Sequence, residues 1–359
     1  MNHLTKELKL PGLLSDPSGI LKTDTRADPR LLAALSQFGF DEAQPDIPLD
    51  HTSKLEDQLA FYAEAEPSFE GFMQALFADV ETLPDIDRKT EVIKGKDGND
   101  ITLYVHKPSN STGDLPCIVH MHGGGMAMLT AQTPCYPHWR DLMCADGAVV
   151  VGVEFRNASG ALGIHPYPAG LNDCMSALEW VNSNKVQLGV SKVVLSGESG
   201  GGNFCLAMTL RAKRENKLSM IQGTYALCPY IYGDYGNKSI DLPSMYENDG
   251  YFITAKMMSV LAAVYNPGKA AKDNHLAWPY WVDTAELKGL PPHVISVNEL
   301  DLLRDEGLSY YRKLAEAGVS VYSRTVNGTT HAADVIFVKA IPEVTMSTIK
   351  DIKSFVDQI

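Results

Sequence analysis

Residues 193–203 read Val193-Val194-Leu195-Ser196-Gly197-Glu198-Ser199-Gly200-Gly201-Gly202-Asn203. An apolar run of strand character leads in, and a helix-compatible run from Asn203 to Leu210 leads out. Between them lies Gly197-Glu198-Ser199-Gly200-Gly201, a serine flanked by glycines at a switch from strand to helix. Such a turn is so tight that side chains beside the serine would clash, which accounts for Gly197 and Gly201. The hydroxyl of Ser199 is then expected to project from the end of a sheet. The helix that follows aims its N-terminus at the same spot and favours negative charge there. The pentapeptide alone arises by chance in glycine-rich chains. Its meaning comes from the strand before it and the helix after it.

A second element stands upstream. His122-Gly123-Gly124-Gly125 follows another apolar strand, Cys117-Ile118-Val119-His120-Met121. Acyl transfer passes through a tetrahedral oxyanion, which needs preorganised N–H donors. A glycine run exposes such donors with no side chain in the way. The bland reading, a flexible turn, loses ground to the serine turn downstream. An HGGG run ahead of a G-x-S-x-G turn resembles the arrangement of lipases and esterases of the α/β-hydrolase fold.

Composition sets the outer limits. The 359 residues are 45% hydrophobic and 21% charged, ordinary values for a globular chain that can bury a substantial core. A net charge of −13 argues against nucleic acid and anionic membrane surfaces as partners. The amino terminus, Met1 to Leu8, shows no apolar core of signal-peptide length, and no apolar run approaches a transmembrane span. The six cysteines (Cys117, Cys135, Cys144, Cys174, Cys205 and Cys228) form no C-x-x-C pair. They read as reduced core thiols of a cytoplasmic protein.

Residues 1–88 look helical. Asp28-Pro29 is expected to cap a short helix bearing Leu31, Leu32 and Leu35, and aromatic stripes from Leu55 to Phe77 are expected to break near Pro67. From Thr90 the pattern changes. A hairpin turns at residues 95–99. Strands follow at 117–121, 148–155, 192–195, 221–227, 293–297 and 319–326, and helices begin near Ala169, Asn203, Ala255, Asp305 and Val344. Strands alternating with helices imply a mainly parallel sheet covered on both faces. Between Pro229 and Pro291 the alternation is interrupted by an aromatic-rich stretch, read as an insertion shaping the binding crevice.

A serine hydroxyl needs a base, and the base needs an orienting carboxylate. In the hydrolase order these follow the serine as acid, then histidine. Of His275, His293 and His331, the first lies in the insertion and the second opens a strand. His331 sits in a loop at the carboxyl end of strand 319–326 and is the expected base. Glu299, Asp301, Asp305 and Glu306 are available as the acid. Asp301 lies just past the strand end, Glu299 is the runner-up, and Asp305 and Glu306 are expected in a first helical turn, where they stabilise the dipole.

The chain resembles the bacterial hormone-sensitive lipase family of α/β-hydrolases from about Leu115 to its end. His122-Gly123-Gly124-Gly125 matches that family's oxyanion motif, and Gly197 to Gly201 matches its elbow, more often G-D-S-A-G. His165 to Gly170 with Asp173 matches the stretch that opens the helix before the elbow strand. Asp301-Leu302-Leu303-Arg304-Asp305-Glu306-Gly307 matches D-P-L-R-D-E-G, whose first aspartate is the triad acid. Leu302 replaces the usual proline, and residues 157–164 depart from the family's short run there. The resemblance implies an α/β-hydrolase fold, a mainly parallel central sheet flanked by helices, with a helical cap. Residues 1–88 and 229–281 would form the cap, and 89–228 and 282–359 the two parts of the core. It implies a serine carboxylesterase for short- to medium-chain esters, without metal or cofactor. Ser199, Asp301 and His331 would be its triad, and Gly124, Gly125 and Gly200 its oxyanion donors. The expected partner is a small-molecule ester, with neither nucleic acid nor stable membrane insertion. Homodimers are common among similar proteins, though no residue here demonstrates one. An amidase or peptidase using the same triad, and a non-catalytic small-molecule receptor on the same fold, are the alternative readings.

Overall fold

The computed structural model describes residues 10–359. Residues 1–9, the start of the first expected cap segment, lie outside the described residues. Helix α1 (Pro29–Ser36) opens on Asp28, whose carboxylate accepts the Arg30 N–H at 2.8 Å. Helix α2 (Leu55–Phe77) follows. The core then runs β1 (Ile86–Lys94), β2 (Asp100–Pro108), β3 (Leu115–Met121), α3 (Cys135–Ala145), β4 (Val149–Glu154), α4 (Ala169–Ser183), β5 (Val190–Glu198), α5 (Gly200–Arg214) and β6 (Gly223–Leu227). After an excursion containing α6 (Ala255–Tyr265), it resumes with β7 (His293–Asn298), α7 (Arg304–Glu316), β8 (Val321–Val326) and α8 (Pro342–Gln358). Among the described residues, no helix is long and apolar enough to cross a membrane.

The eight strands form one sheet in the order β1-β2-β4-β3-β5-β6-β7-β8. β2 pairs antiparallel with β1 and β4, and every pairing from β4 to β8 is parallel. Strands covered on both faces need apolar side chains on both, and β4 and β5 supply them with Val149 to Val151 and Val193 to Leu195, all fully buried. The parallel strands put their carboxyl ends on one rim. From β3 the chain goes out to β4 and returns across β3 to β5. The loops after β3 and β5 therefore leave in opposite senses and open a crevice, the usual binding place of an open α/β sheet.

Helix α2 continues through Pro67 rather than breaking there. Pro67 lies on the exposed side, while Tyr62 and Glu66 before it and Phe72 and Met73 after it are buried, so tertiary packing holds both halves in line. Helix α3 was not foreseen at all. Its Pro134 lead-in and buried Tyr136, Trp139, Met143 and Cys144 were the available signal. Strand β1 begins at Ile86, so the hairpin takes in the last three residues of the segment numbered 1–88.

The amino-terminal segment and the excursion meet over the rim. The Tyr62 hydroxyl on α2 donates to the Met257 carbonyl on α6 at 2.8 Å. Phe40 and Phe72 pack on Phe252 of the excursion, and Phe252 packs on Phe337, with ring centroids 5.3 to 6.2 Å apart. The atypical residues 157–164 form a wall behind the HGGG loop. Ala158 and Ser159 donate backbone N–H groups to Met126 and Ala127, and Asn157 Nδ2 donates to the Leu129 carbonyl at 2.6 Å. Glu66 of α2 closes the arrangement, accepting from the N–H groups of Leu129 (2.6 Å) and Ala161 (2.5 Å).

His293 is structural, as its place at a strand start suggested. Its ring is buried, Nδ1 donates to the Pro291 carbonyl at 2.6 Å, and burial pushes its pKa down to about 4. A histidine held neutral in the folded state contributes stability that is complete above the unfolded pKa and is lost as pH falls below about 6.5. His293→Gln keeps an N–H donor but cannot titrate. Urea unfolding of parent and variant should therefore converge in acid, the parent losing on the order of 3 kcal/mol more than the variant between pH 7 and 4. Parallel stability curves would contradict this.

Candidate active site

Ser199 is the first residue past β5, and its backbone sits at φ +56°, ψ −116°. A non-glycine residue there is strained, and its surroundings must hold it. A Cβ on either Gly197 or Gly201 would collide with the Met121 carbonyl, so both glycines are required for the turn to lie against β3. The Ser199 N–H donates to the Leu227 carbonyl at 3.0 Å, and the Ser199 carbonyl accepts from Tyr230 N–H at 3.1 Å. Strands on both sides thus fix the turn.

The three side chains singled out in the sequence meet at this rim. His331 Nε2 lies 2.9 Å from Ser199 Oγ, and His331 Nδ1 lies 2.7 Å from Asp301 Oδ2. The network assigns the proton on Nδ1 to the Asp301 bond, so Nε2 accepts from the serine hydroxyl. Asp301 is fully buried, and its Oδ1 accepts the Leu303 N–H at 2.9 Å. The competing residues do other work. Glu299 turns to the Gly328 N–H at 2.8 Å and braces the loop leading to His331. His275 lies 3.6 Å from Glu286, away from this rim.

Asp305 and Glu306 do occupy the first turn of α7, yet the dipole is not their main partner. Asp305 accepts the Ser244 N–H at 2.7 Å. Glu306 accepts from the N–H groups of Ile231 (2.6 Å) and Tyr232 (3.1 Å) and from the Tyr235 hydroxyl (2.7 Å). Burial pushes its carboxyl up to about 8. It anchors the loop after β6, whose Tyr230 N–H holds the serine turn.

The HGGG loop is held rigidly. His122 stacks on Phe155, with centroids 4.1 Å apart and planes within 12°. Burial pushes it down to about 3, so the ring is neutral, and its Nδ1 donates to the Gly123 carbonyl at 2.7 Å. Gly123 N–H donates to Glu198 Oε1 at 3.0 Å, and His120 Nε2 donates to Glu198 Oε2 at 3.0 Å. Gly124 has φ +97°, and a Cβ there would collide with the Met128 carbonyl. Among the described residues, the N–H groups of Gly124, Gly125 and Gly200 meet no acceptor. Glu198 is the residue that sequence reasoning missed. It stood in plain view inside the pentapeptide, but nothing local says that its carboxylate reaches across to the loop after β3.

A narrow cavity of about 80 Å³ opens over Ser199. Phe69 and Met73 of α2, Met128 and Leu129 beyond the HGGG loop, and Met257 and Leu261 of α6 line it. Cys228, Asp301 and His331 also lie close enough together to suggest a metal site. The donor set fits an ion poorly. Burial and the nearby Asp301 push the Cys228 thiol well above its ordinary range, and both His331 nitrogens are engaged.

A family model described as the alpha/beta hydrolase fold matches residues 118–334. The chain belongs to the α/β-hydrolase family. Within it, this protein groups with the bacterial relatives of hormone-sensitive lipase. It is 43% identical to a brefeldin A esterase described as a bacterial homologue of human hormone-sensitive lipase, with 97% of this chain and 98% of that one superposed at a TM-score of 0.92. Esterase Est22 is 36% identical, covering 94% of this chain and 99% of its own, with a TM-score of 0.85. Carboxylesterase NlhH of Mycobacterium tuberculosis is 34% identical over 247 residues, spanning 67% of this chain and 73% of that protein.

If Glu198 orients the HGGG loop, Glu198→Ala should release Gly123. The expected result is a kcat lower by about tenfold to a hundredfold with KM within twofold, since only donors aimed at the developing charge are disturbed. Steady-state kinetics on p-nitrophenyl butyrate measures both constants. An unchanged kcat would remove Glu198 from this role.

Proposed function

We propose that this ester hydrolase works through an acyl-enzyme, with Ser199 as nucleophile, His331 as base and then acid, and Asp301 as the carboxylate that orients the imidazole. The observation that carries the reading is the unbroken run of hydrogen bonds from Asp301 through His331 to a hydroxyl on a strained turn. Ser199 Oγ attacks the ester carbonyl carbon as its proton passes to His331 Nε2. The carbonyl oxygen becomes an oxyanion and takes the N–H groups of Gly124, Gly125 and Gly200, with the N-terminus of α5 behind the last of them. Asp301 stabilises the imidazolium. The intermediate collapses, the C–O bond to the alcohol breaks, and Nε2–H protonates the departing oxygen. Water then repeats the sequence on the acyl-enzyme. It gives its proton to Nε2 and leaves a carboxylic acid and free Ser199.

The substrate class follows from the lining. Aromatic, methionine and leucine side chains dominate the cavity, and among the described residues no lysine or arginine faces it. An uncharged ester with a short- to medium-chain apolar acyl group suits such a site. Four methionines, Met73, Met128, Met257 and Met258, give the wall some adaptability. The six cysteines are all unpaired and buried, which supports a reducing, cytoplasmic location.

Ser199→Ala should lower kcat on p-nitrophenyl esters by at least about a thousandfold and abolish labelling by a fluorophosphonate probe. Across an acyl series from acetate to palmitate, kcat/KM should peak at short to medium length. A variant with parental turnover would refute the assignment of Ser199, and a maximum at palmitate would refute the chain-length reading.

A further inference from the structure

Asp301 and His331 stand on two loops beyond the strand ends, residues 299–303 after β7 and 327–332 after β8. The sheet ladder stops before either residue. Part of what holds the loops comes from the covering segments. Asn248, fully buried in the excursion, donates from Nδ2 to the carbonyl oxygens of Glu299 and Asp301, both at 3.1 Å. Its Oδ1 accepts from Arg26 of the amino-terminal segment at 3.2 Å. That contact fixes which end of the amide faces the loop.

Arg26 is itself clamped. It pairs with Asp24 through Nε (3.0 Å) and NH2 (2.7 Å), and with buried Glu247. Asp24 also accepts from the Tyr251 hydroxyl at 3.1 Å. Glu247 takes Arg304 at 2.7 and 2.9 Å, and Arg304 donates to the Glu299 carbonyl at 2.9 Å. Two residues past Arg26, the Asp28 N–H donates to the Gly328 carbonyl at 2.9 Å, which reaches the second loop. Gly328 and Thr329 are tied back to the first loop through Glu299 Oε2 and the Leu300 N–H.

We propose that Arg26 and Asn248 are positioning residues: through the backbone of Glu299 and Asp301 they hold the Asp301 carboxylate in register with His331, so the segments covering the site also set its geometry. This rests on the triad reading above. Asn248 is suited to the task because one amide offers two N–H groups, one for each of the Glu299 and Asp301 carbonyls. Asp301 Oδ1 is already occupied by Leu303, so a shift of the loop is felt directly at Oδ2. A misplacement of about 1 Å at reacting groups costs up to about a hundredfold in rate.

The test compares Arg26→Met, Arg26→Lys, Asn248→Ala, the Arg26→Met/Asn248→Ala double variant and Asp301→Asn in the full-length protein. Kinetics on p-nitrophenyl butyrate are measured well below each variant's melting temperature. Arg26→Met and Asn248→Ala should each lower kcat about tenfold with KM within twofold. The double variant should be no more than about twofold worse than the poorer single, because the two act as one unit. The acid limb of the kcat/KM profile should move to lower pH, since a displaced Asp301 stabilises the imidazolium less. Arg26→Lys should recover part of the loss. Folded single variants with parental kcat, or with changes in KM alone, would overturn the proposal while Asp301→Asn remained impaired. Parental kcat in Asp301→Asn would instead overturn the triad reading, and this proposal with it.

Discussion

The Met121 carbonyl at the end of β3 lies against the backbone of Gly197 and Gly201, and no side chain could be inserted there. That contact lets the chain turn from β5 into α5 within a few residues and holds Ser199 at a positive φ. Because β3 and β5 are neighbours, it also sets the HGGG loop beside the serine turn. The two halves of the proposed chemistry, the Ser199 hydroxyl and a set of N–H groups, are thus one local packing solution. Strain at Ser199 is balanced by hydrogen bonds from β6 and its exit loop, which Glu306 anchors to α7.

Around this point the protein ties buried polar groups together by hydrogen bonds. Glu198 joins the serine turn to His120 and Gly123, and His122 locks the next peptide. Burial keeps His122 neutral, so the ring works as a fixed N–H donor and adds no charge beside the N–H groups of Gly124 and Gly125. Such networks resist deformation because each unpaired member would carry a desolvation penalty of about 1–3 kcal/mol. The same logic extends outward through Asn248, Arg26 and Glu247 to segments remote in sequence.

The covering layer has a different character. The edge-to-face cluster of Phe40, Phe72, Phe252 and Phe337 and the methionines near Ser199 are apolar and less directional. They shape what enters while the polar bonds beneath them hold the rim. The atypical residues 157–164 belong to this layer as well, since they back the HGGG loop and meet α2 through Glu66.

The alternation of strands with helices was legible because apolar periodicity is local, and Ser199 stood out because its turn demands flanking glycines, while Gly124, Gly125 and Gly200 were singled out by resemblance to a family motif. His331 and Asp301 followed from order along the chain and from matched motifs, since a base and its acid must lie past strand ends. Other features were hidden. Pro67 argues for a break, yet packing on both sides carries α2 through it. Glu306 at a helix start suggests a dipole partner, yet its bonds go to Ile231, Tyr232 and Tyr235. Glu198, Asn248 and Arg26 are ordinary polar residues until the fold puts a loop carbonyl or N–H within reach. The amino-acid sequence by itself determined the fold class and nominated the groups proposed to react, because those rest on periodicity, backbone freedom and side-chain chemistry. Tertiary structure alone decided which polar groups hold them in place, because hydrogen bonds are short-ranged while partners such as Arg26 and Asn248 lie 222 residues apart.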